Sequence, residues 1–257
     1  MPEVLLTGSS GEVGRVALGA LESAGWTVRR FDITDGNDLL DEAAVLQASA
    51  GCDAIVHAGA ISHNNGGTPS EIVATNVLGT WHVLLAADAA RVSRVVYFSS
   101  VQVFGCDEGE GAPEYLPIDD AHPLRGARPY GMSKRLAEEM CATWTARTGI
   151  PTIVLRPVMI LSEEQLRSVD GSRAEHGAYV HVDDVAEAVC KALIAKVKGH
   201  VRLTLCGPGA FDSSAARRTL GWRPAHRHWP HHSRIWWLGP IRPKAAQLRR
   251  AIRRVRE

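Results

Sequence analysis

The sequence predicts an open, doubly wound α/β fold built around a parallel sheet. From the first residues onward, short apolar segments alternate with longer amphipathic segments, which is the order of βαβ units. Most of the apolar segments are rich in Val, Ile and Leu and lack alternating polar residues, as expected of strands buried on both faces. The length of 257 residues suits one large domain with a small appendage.

Six strands and five helices are predicted in chain order. The strands cover residues 4–7, 27–31, 54–57, 95–99, 152–155 and 201–205. The helices cover residues 13–24, 39–50, 71–91, 130–148 and 184–196. Each helix is long enough to recross a sheet between parallel strands, and such crossovers are right-handed. Gly149 and Pro151 end the fourth helix and Gly199 follows the fifth, as is typical of helix C-termini.

The composition excludes disordered and fibrous proteins. Apolar residues make up 45% of the chain and charged residues 22%, close to the averages of globular domains. The five cysteines are scattered singly, which suits a reducing compartment better than a disulfide framework. The sequence shows no signal-peptide pattern and no uninterrupted apolar run near the roughly 18 residues that span a bilayer. We therefore predict a cytoplasmic protein with a small-molecule substrate, and neither nucleic acid nor membrane as a partner.

Charge divides the chain into a domain of residues 1–224 and a C-terminal extension of residues 225–257. Residues 223–257 hold ten Lys or Arg and one acid, a net charge of +9, which leaves −8 on the rest of the chain. The end of the extension predicts a helix with one apolar stripe, formed by Ala245, Leu248, Ile252 and Val255. We expect this basic extension to dock on its own domain or on a partner subunit near the substrate cleft. The alternative is a helix that lies on an anionic membrane surface.

The extension also contains four histidines, His226, His228, His231 and His232, close to three tryptophans. This spacing suggests a metal site, but the cluster contains no Cys or carboxylate, so we predict no metal. Segments rich in aromatic residues and arginine more often form interfaces. His57, at the end of the third predicted strand, is expected to be a core residue.

A glycine-rich segment, TGSSGEVG at residues 7–14, follows the first predicted strand and leads directly into the first helix. In this position glycines allow a tight turn, close approach to a pyrophosphate and packing of the helix against the strand. The helix N-terminus offers free N–H groups to the anion. The segment therefore predicts a dinucleotide-binding site formed by Gly8, Ser10, Gly11, Glu12, Val13 and Gly14.

Asp32, at the end of the second predicted strand, lies 18 residues beyond Gly14. A carboxylate there accepts hydrogen bonds from the ribose hydroxyls of the adenosine and repels a 2′-phosphate. Arg29 and Arg30 leave NADP open as an alternative, because a guanidinium near that ribose favours the phosphate. We predict NAD as the cofactor, because both arginines lie within the strand and no Arg immediately follows Asp32.

Tyr130 and Lys134, in the segment YGMSK, open the fourth predicted helix, and Ser99 and Ser100 close the strand before it. The two residues are four apart, so they share a helix face, and a nearby ammonium favours tyrosinate. Lowering a tyrosine pKa from about 10 to near 7 takes about 4 kcal/mol. An isolated YxxxK segment is more often an ordinary helix start. Its order after the glycine segment and the serines favours a catalytic pair.

Together these motifs resemble the extended short-chain dehydrogenase/reductase family, in its NAD-dependent epimerase/dehydratase group, over residues 3–224. The matching segments are TGSSGEVG (7–14), DAIVHAGA (53–60), TNVLGT (75–80), VVYFSSVQVFG (95–105), YGMSK (130–134), LRP (155–157), HVDDVAEA (181–188) and LGWRP (220–224). The resemblance implies a Rossmann-like domain with Ser100, Tyr130 and Lys134 as the catalytic residues. It also implies that Asn76 braces the helices of the active site.

The resemblance further implies a set of cofactor contacts beyond the glycine segment. These are Asp32, Ile33, Ala58, Gly59, Ala60, Asn76, Ser99, Tyr130, Lys134 and Pro157. Substrate contacts are expected from Ser62, Ser100 and Gln102. A homodimer is expected to form through the helices near residues 71–91 and 130–148.

The sequence departs from the family pattern in three places. Only 20 residues separate Asp32 from Asp53, so the ribose carboxylate and a second, adenine-side Asp are expected to merge in residues 32–35. Only 23 residues lie between Pro157 and His181, which predicts a reduced substrate region and makes a small or carrier-borne substrate as credible as a nucleotide sugar. Val101 and Gln102 replace the acidic pair of the family's dehydratases, so no loss of water is expected, and Gln102 is predicted to bind substrate or to pack.

These features predict an NAD-dependent oxidoreductase or epimerase that acts at a hydroxyl or ketone of a sugar, a sugar derivative or another small polyol or keto compound. Tyr130 acts as the general acid/base, Ser100 binds the same oxygen, and Lys134 orients the ribose and tunes Tyr130. Dehydrogenation, ketone reduction and epimerisation all remain open. The alternative from another class is a catalytically silent NAD(P)-binding regulator or scaffold, because one fold can host sites without turnover.

Overall fold

The structure is a computed structural model that describes residues 1–106, 110–168, 179–207 and 209–226. Its centre is a six-stranded parallel sheet in the order β2-β1-β3-β4-β5-β8. These strands are β1 (Glu3–Thr7), β2 (Thr27–Phe31), β3 (Ala54–His57), β4 (Val95–Phe98), β5 (Thr152–Pro157) and β8 (His200–Leu205). The strand order reverses between β1 and β3, and ligands of open α/β sheets bind beyond the carboxyl ends of the strands at such a point.

Helices cover both faces of the sheet. The described helices are α1 (Glu12–Ser23), α2 (Glu42–Ser49), α3 (Pro69–Val73), α4 (Gly79–Ala90), α5 (Pro129–Thr148), α6 (Glu163–Ser168), α7 (Val182–Ile194) and α8 (Ser214–Leu220). The α1 and α7 helices pack together on one face, and α2, α4 and α5 cover the other. The predicted doubly wound fold is therefore confirmed.

Alternate residues of the same strands build two separate cores. In β1, Leu6 packs into the core beneath α1 and α7, whereas Leu5 packs into the core beneath α2, α4 and α5. Val56 and Ile55 divide in the same way in β3. Successive side chains of a strand point to opposite faces, so a strand covered on both faces needs apolar residues at every position. This is why the strands show no polar alternation.

A small second sheet was not predicted. It contains two parallel strands, β6 (Met159–Leu161) and β7 (Tyr179–His181), in which Leu161 pairs with His181. Three-residue strands carry too little periodicity to stand out in a sequence. The predicted helix at 39–50 also begins late, at Glu42, because the Asp41 carboxylate accepts a hydrogen bond from Ala44 N and caps the helix.

Residues from Pro69 to Ala90 form one continuous helical run, in which a π-helical turn (Ala74–Leu78) joins α3 to α4. Among the described residues, this run is long and apolar enough to cross a membrane, with a mean hydropathy of 1.3. Half of it is buried inside the fold, where it packs against α2 and α5. A buried helix of a folded core has the same composition.

The described chain ends on a buried anchor. The Asp184 carboxylate accepts hydrogen bonds from the backbone N–H groups of Ala225 and His226, at 2.9 and 3.1 Å. The buried Trp222 donates its indole N–H to the Asp184 carbonyl at 2.8 Å. Residues 227–257, which hold most of the predicted basic extension and three of its four histidines, lie outside the described residues. The division at residue 224 stays a prediction.

Candidate active site

A cleft of about 990 Å³ lies at the carboxyl ends of the strands, at the point where the strand order reverses. All the predicted site residues line it, except Asn76. They come from the glycine segment, the end of β2, the segment after β3, the end of β4, the first turns of α5 and the end of β5. The fold therefore brings together residues that lie up to 149 positions apart, from Gly8 to Pro157.

Two glycines of the glycine segment lie so close to neighbouring backbone atoms that a side chain would not fit. Gly8 has a φ of +71°, and a Cβ there would lie 2.5 Å from the backbone nitrogen of Gly59. A Cβ at Gly14 would lie 2.0 Å from the Gly8 carbonyl oxygen. Gly11 precedes the first residue of α1, so the N–H groups of the first helical turn face the cleft without a capping side chain. This arrangement fits a pyrophosphate.

Asp32 is almost fully buried at the cleft wall. Burial opposes its ionisation, but hydrogen bonds from the backbone N–H groups of Thr34 and Ser10, each 3.0 Å long, hold the pKa of the carboxyl below its usual value. Arg29 points away and pairs with Glu3. Arg30 is half-exposed, with Nη2 3.2 Å from Asp35 Oδ2 and 3.4 Å from Ser10 Oγ.

The cleft wall beside Asp32 contains residues that the sequence analysis did not identify. Asn37, Asp38, Leu39 and Leu40 follow the 3₁₀ turn Ile33–Asp35 and line the cleft. A further acidic residue, Asp38, therefore lines the cleft outside residues 32–35. The merging of the two carboxylates within that segment stays a prediction.

Tyr130 lies in the first turn of α5 and Lys134 one turn later, so both side chains reach the cleft from one helix face. The Lys134 ammonium donates a hydrogen bond to the Phe98 carbonyl at 2.7 Å. It lies 5.7 Å from the centre of the Tyr130 ring and 5.0 Å from that of Tyr97. This cation stabilises negative charge on the Tyr130 oxygen.

Burial lowers the pKa of Lys134 to about 7, against the opposing effect of the Glu138 carboxylate. A lysine in water has a pKa of about 10.4. The desolvated Lys134 can therefore change its charge near neutral pH, which is the range in which an acid/base group works best.

Ser100 and Gln102 line the same cleft as Tyr130. The Ser100 hydroxyl accepts a hydrogen bond from Gln102 N at 3.2 Å, at the start of the 3₁₀ turn Val101–Phe104. The Gln102 backbone is held tightly, because Cβ atoms at Gly126 and Gly131 would lie 2.3 and 2.7 Å from its carbonyl oxygen. Gln102 Oε1 is buried and has no hydrogen-bond partner within the described part of the chain. Other atoms of Gln102 line the cleft, so this oxygen would reach a ligand only after the amide turns toward the cleft.

Asn76 lies outside the cleft lining and braces the cleft from behind, as the resemblance implied. The cofactor contact that the resemblance also implied is not seen in the lining. Its side chain is buried, accepts a hydrogen bond from Ile61 N at 2.8 Å and donates to Ser133 Oγ at 3.0 Å. The amide is fully used in joining the segment after β3 to α5. Ser62, the predicted substrate contact, is exposed in the cleft beside Ile61.

A fully buried ion pair lies next to Lys134 on α5. Glu138 forms two hydrogen bonds with Arg156, at 2.6 and 2.8 Å, and accepts a third from Ser99 Oγ at 2.6 Å. It follows Lys134 by one helical turn, so the pair ties α5 to the ends of β4 and β5. The sequence motifs did not predict this ion pair. The spacing of Tyr130, Lys134 and Glu138 at i, i+4 and i+8 was a signal that could have found it.

His57 is the satisfied core residue that the sequence predicted. Its ring lies between the hydroxyls of Thr7 and Thr80, at 2.7 and 3.0 Å. Burial, together with the Lys134 charge, lowers its pKa to about 3. The imidazole therefore stays neutral at physiological pH.

Three potential metal ligands, His181, Asp183 and His226, lie close together within the described residues. The two imidazole rings are stacked, with centroids 3.9 Å apart. A ring nitrogen binds a metal in the plane of its own ring, so two stacked rings do not converge on one ion. His181 Nδ1 also accepts a hydrogen bond from Asp183 N at 3.2 Å. This group is best described as packing that supports the anchor at Asp184.

The sequence matches the model of the NAD dependent epimerase/dehydratase family over residues 4–203. The chain belongs to this family. Membership confirms the predicted family and the predicted class of NAD-linked oxidoreductases and epimerases. It agrees with the glycine segment, the buried Asp32 and the Tyr130–Lys134 pair in the cleft.

The relatives of this family member include dehydrogenases and epimerases. The uronate dehydrogenase of Pseudomonas syringae pv. tomato is 30% identical over 209 residues, which cover 77% of this chain and 71% of that enzyme. The N-acetyl-alpha-D-glucosaminyl-diphospho-ditrans,octacis-undecaprenol 4-epimerase of Escherichia coli O157:H7 is 32% identical over 177 residues, which cover 65% of this chain and 51% of that enzyme.

Two crystal structures from Agrobacterium tumefaciens share the fold. A short-chain dehydrogenase/reductase superfamily protein with bound NAD has a TM-score of 0.73 at 22% identity, covering 99% of this chain and 100% of its own. A uronate dehydrogenase has a TM-score of 0.73 at 23% identity, and the match covers 95% of this chain and 91% of that enzyme. These similarities show the fold, and the family match shows the family.

Proposed function

We propose that this family member oxidises a hydroxyl group of a small sugar acid, with NAD⁺ as the hydride acceptor. The observation that carries the proposal is the convergence of Ser100, Tyr130 and Lys134 on one cleft that also contains the glycine segment and Asp32. The similarity to uronate dehydrogenase over most of the chain supports the dehydrogenase activity.

The chain's own residues fit NAD. The glycine segment leaves room for a pyrophosphate at the start of α1, and Asp32 offers a carboxylate to the ribose hydroxyls. Arg30 is already paired with Asp35, which weakens it as a site for a 2′-phosphate. NAD, when bound, accepts the hydride that leaves the carbon bearing the hydroxyl.

The protein residues handle the proton. Tyr130, as tyrosinate, takes the proton from the substrate hydroxyl while the carbonyl forms, and Ser100 donates a hydrogen bond to the same oxygen. The Lys134 ammonium stabilises the tyrosinate electrostatically and later helps to return the proton to solvent. Gln102 lines the same cleft and, once its amide turns toward the sugar, accepts a hydrogen bond from a neighbouring hydroxyl and orients the ring.

The short substrate region supports a free monosaccharide rather than a nucleotide sugar. Only 23 residues separate Pro157 from His181, and within them the chain forms the two short strands β6 and β7 and helix α6. A nucleotide moiety needs a protein surface beyond the sugar site, whereas a hexuronate fits within the cleft itself.

A substrate comparison tests the proposed function. Purified protein with NAD⁺ is incubated with galacturonate, with galactose as the matched neutral sugar, and with UDP-glucose, while NADH absorbance and product mass are followed. We expect NADH and a product two hydrogens lighter from galacturonate, with lower rates from the other two. NADH from UDP-glucose alone would contradict the small-substrate proposal. NAD binding without turnover of any sugar would favour the silent regulator.

Epimerisation is the second candidate, and the similarity to the 4-epimerase from Escherichia coli favours it. The same Tyr130 chemistry run forwards and then backwards inverts a carbinol centre without net production of NADH. The incubation with UDP-glucose distinguishes the two activities, since conversion to UDP-galactose at constant NADH absorbance would identify an epimerase.

A further inference from the structure

The helix that carries the catalytic pair begins without a cap of its own. Its N-cap residue, Arg128, makes no side-chain capping bond, and Pro129 at the first helical position has no N–H. Instead, the Tyr130 N–H donates a hydrogen bond to the side-chain oxygen of Asn64 at 2.9 Å. Asn64 lies 66 positions earlier in the chain. A residue outside the helix therefore supplies the bond that a cap normally provides.

The segment that carries Asn64 is attached to α5 at a second point. Ile61 bonds to Asn76 through both its N–H and its carbonyl, and Asn76 donates to Ser133 Oγ at 3.0 Å. Ser133 Oγ in turn donates to the Tyr130 carbonyl at 2.8 Å. Both backbone groups of Tyr130 are thus linked to the segment 61–64, directly at one end and through two side chains at the other.

Two residues between these attachment points, Ser62 and His63, line the cleft. The segment therefore touches the substrate space and holds the backbone of the catalytic tyrosine at the same time. Moving it by a fraction of an ångström moves the Tyr130 oxygen relative to Lys134 and to the substrate. Rates of enzymes that depend on positioned groups fall by about a hundredfold for misplacements of about 1 Å.

We propose that Asn64 is a positioning residue for Tyr130, setting the distance between the catalytic helix and the wall of the substrate cleft. The inference rests on the proposed function, in which Tyr130 is the acid/base. Asn64 acts through the Tyr130 backbone and does not itself exchange a proton. Its removal leaves the first turn of α5 free to move away from Lys134, so the Tyr130 hydroxyl loses part of the field that favours tyrosinate.

The test uses Asn64→Ala, which removes the acceptor, Asn64→Asp, which keeps an acceptor oxygen in the same place, and Asn65→Ala as the matched neighbouring control. Titration of tyrosinate absorbance in the presence of NAD⁺, with the Tyr130→Phe spectrum subtracted, reports the pKa of Tyr130 without any substrate. We expect Asn64→Ala to raise this pKa by about half a unit to one unit, a three- to tenfold change in proton affinity. Amide hydrogen exchange at Tyr130 should accelerate in the same variant and stay slow in Asn64→Asp.

Two results would overturn the proposal. One is a Tyr130 pKa in Asn64→Ala that equals that of Asn65→Ala, and the other is equally fast amide exchange in Asn64→Ala and Asn64→Asp. If Asn64→Ala unfolds globally, its unfolding midpoint will show it. The exchange rate of the Tyr130 amide in Asn64→Asp then tests the proposal, which requires that amide to stay protected. If Tyr130→Phe removes no low-pH tyrosinate signal and leaves turnover intact, the proposed function fails. If Tyr130→Phe is inactive while Asn64→Ala matches its control, only the role of Asn64 fails.

Discussion

At the scale of single residues, the proposed function of Lys134 opposes the stability of the fold. The fold buries this ammonium beside Tyr130, and burial lowers its pKa to about 7. In the unfolded chain the lysine has a pKa of about 10.4, so between these values the unfolded state binds more protons than the folded state. Stability of the protein without cofactor should therefore rise with pH across this window because of Lys134.

Replacing Lys134 by Met should abolish turnover and stabilise the fold. Methionine fills a similar volume without a charge to desolvate, so we expect the unfolding midpoint at pH 7 to rise by about 2–4 °C, the shift that about 1 kcal/mol produces in a chain of this size. Thermal unfolding between pH 7 and pH 10 provides the measurement, and the pH slope should be shallower in the variant. A lower midpoint would mean that the bond to the Phe98 carbonyl outweighs desolvation.

Asp32 is expected to control cofactor affinity. Asp32→Ala removes a charged acceptor for the ribose hydroxyls, so NAD binding should weaken by roughly 10- to 100-fold, and selectivity over NADP should fall. Calorimetry with both cofactors measures the change. Asp35→Ala is the control, because it frees Arg30 without touching the ribose carboxylate. Tighter binding of NADP than of NAD by the unmodified protein would show that Arg30 decides the preference.

The sequence revealed those site residues that lie in contiguous motifs. The glycine segment and the Tyr130–Lys134 pair each carry a local spacing that reflects a turn or a helix face. Asn64 carries no such local pattern, and the helical spacing that places Glu138 on the face of Lys134 does not indicate its partners Ser99 and Arg156. Asn64 contacts Tyr130 across 66 positions, and Glu138 contacts Ser99 across 39 and Arg156 across 18. Contacts of this range exist only once the sheet has formed.

At the scale of elements, the glycine segment and α1 form one unit. Gly14→Ala places a Cβ 2.0 Å from the Gly8 carbonyl, so the helix or the turn must shift. We expect the free energy of unfolding to fall by about 1–3 kcal/mol and NAD binding to be lost. The matched control is Gly19→Ala in the same helix, where a Cβ meets no atom within 4 Å. That variant should gain up to about 1 kcal/mol from helix propensity. Equal effects of both substitutions in denaturant titrations would contradict this account.

The strands were more predictable than the helix starts and the short elements. Strand β3 begins and ends where its apolar segment does, because burial on both faces marks every residue. The edge strand β2 also has the predicted bounds, although only Phe31 in it is buried. The start of α2 depends on one capping bond from Asp41, and the β6–β7 pair depends on its long-range register. Neither feature leaves a periodic pattern in the sequence.

At the scale of the whole molecule, we propose a homodimer, and the structure contains a surface that could form its interface. Leu78, Trp81 and Leu136 are 39–47% exposed on the helical run from Pro69 to Ala90 and on α5, which pack side by side. These are the two helices that the sequence predicted as the interface. Exposed large apolar side chains on adjacent helices are typical of protein–protein contacts.

The double variant Trp81→Glu/Leu136→Glu should convert a dimer into a monomer. In a symmetric dimer both subunits would carry the two introduced glutamates at the same contact. These buried carboxylates would face one another without an opposite charge to pair with. Sedimentation equilibrium of the unmodified protein and of the variant gives the masses. Ile194→Glu, at a 72% exposed position on α7, is the control and should leave the mass unchanged. A monomeric unmodified protein, or a double variant that stays dimeric, would contradict the proposed interface.

In the proposed function, Tyr130 exchanges the proton of the substrate hydroxyl in a cleft that binds NAD independently of that group. The most direct measurement compares Tyr130→Phe with the unmodified protein, using NADH formation from galacturonate for turnover and calorimetry for NAD affinity. We predict a rate about 100- to 10,000-fold lower, the loss expected for a positioned acid/base, with NAD affinity changed by no more than about twofold. An undiminished rate in Tyr130→Phe, or a loss of NAD affinity as large as the loss of rate, would contradict it.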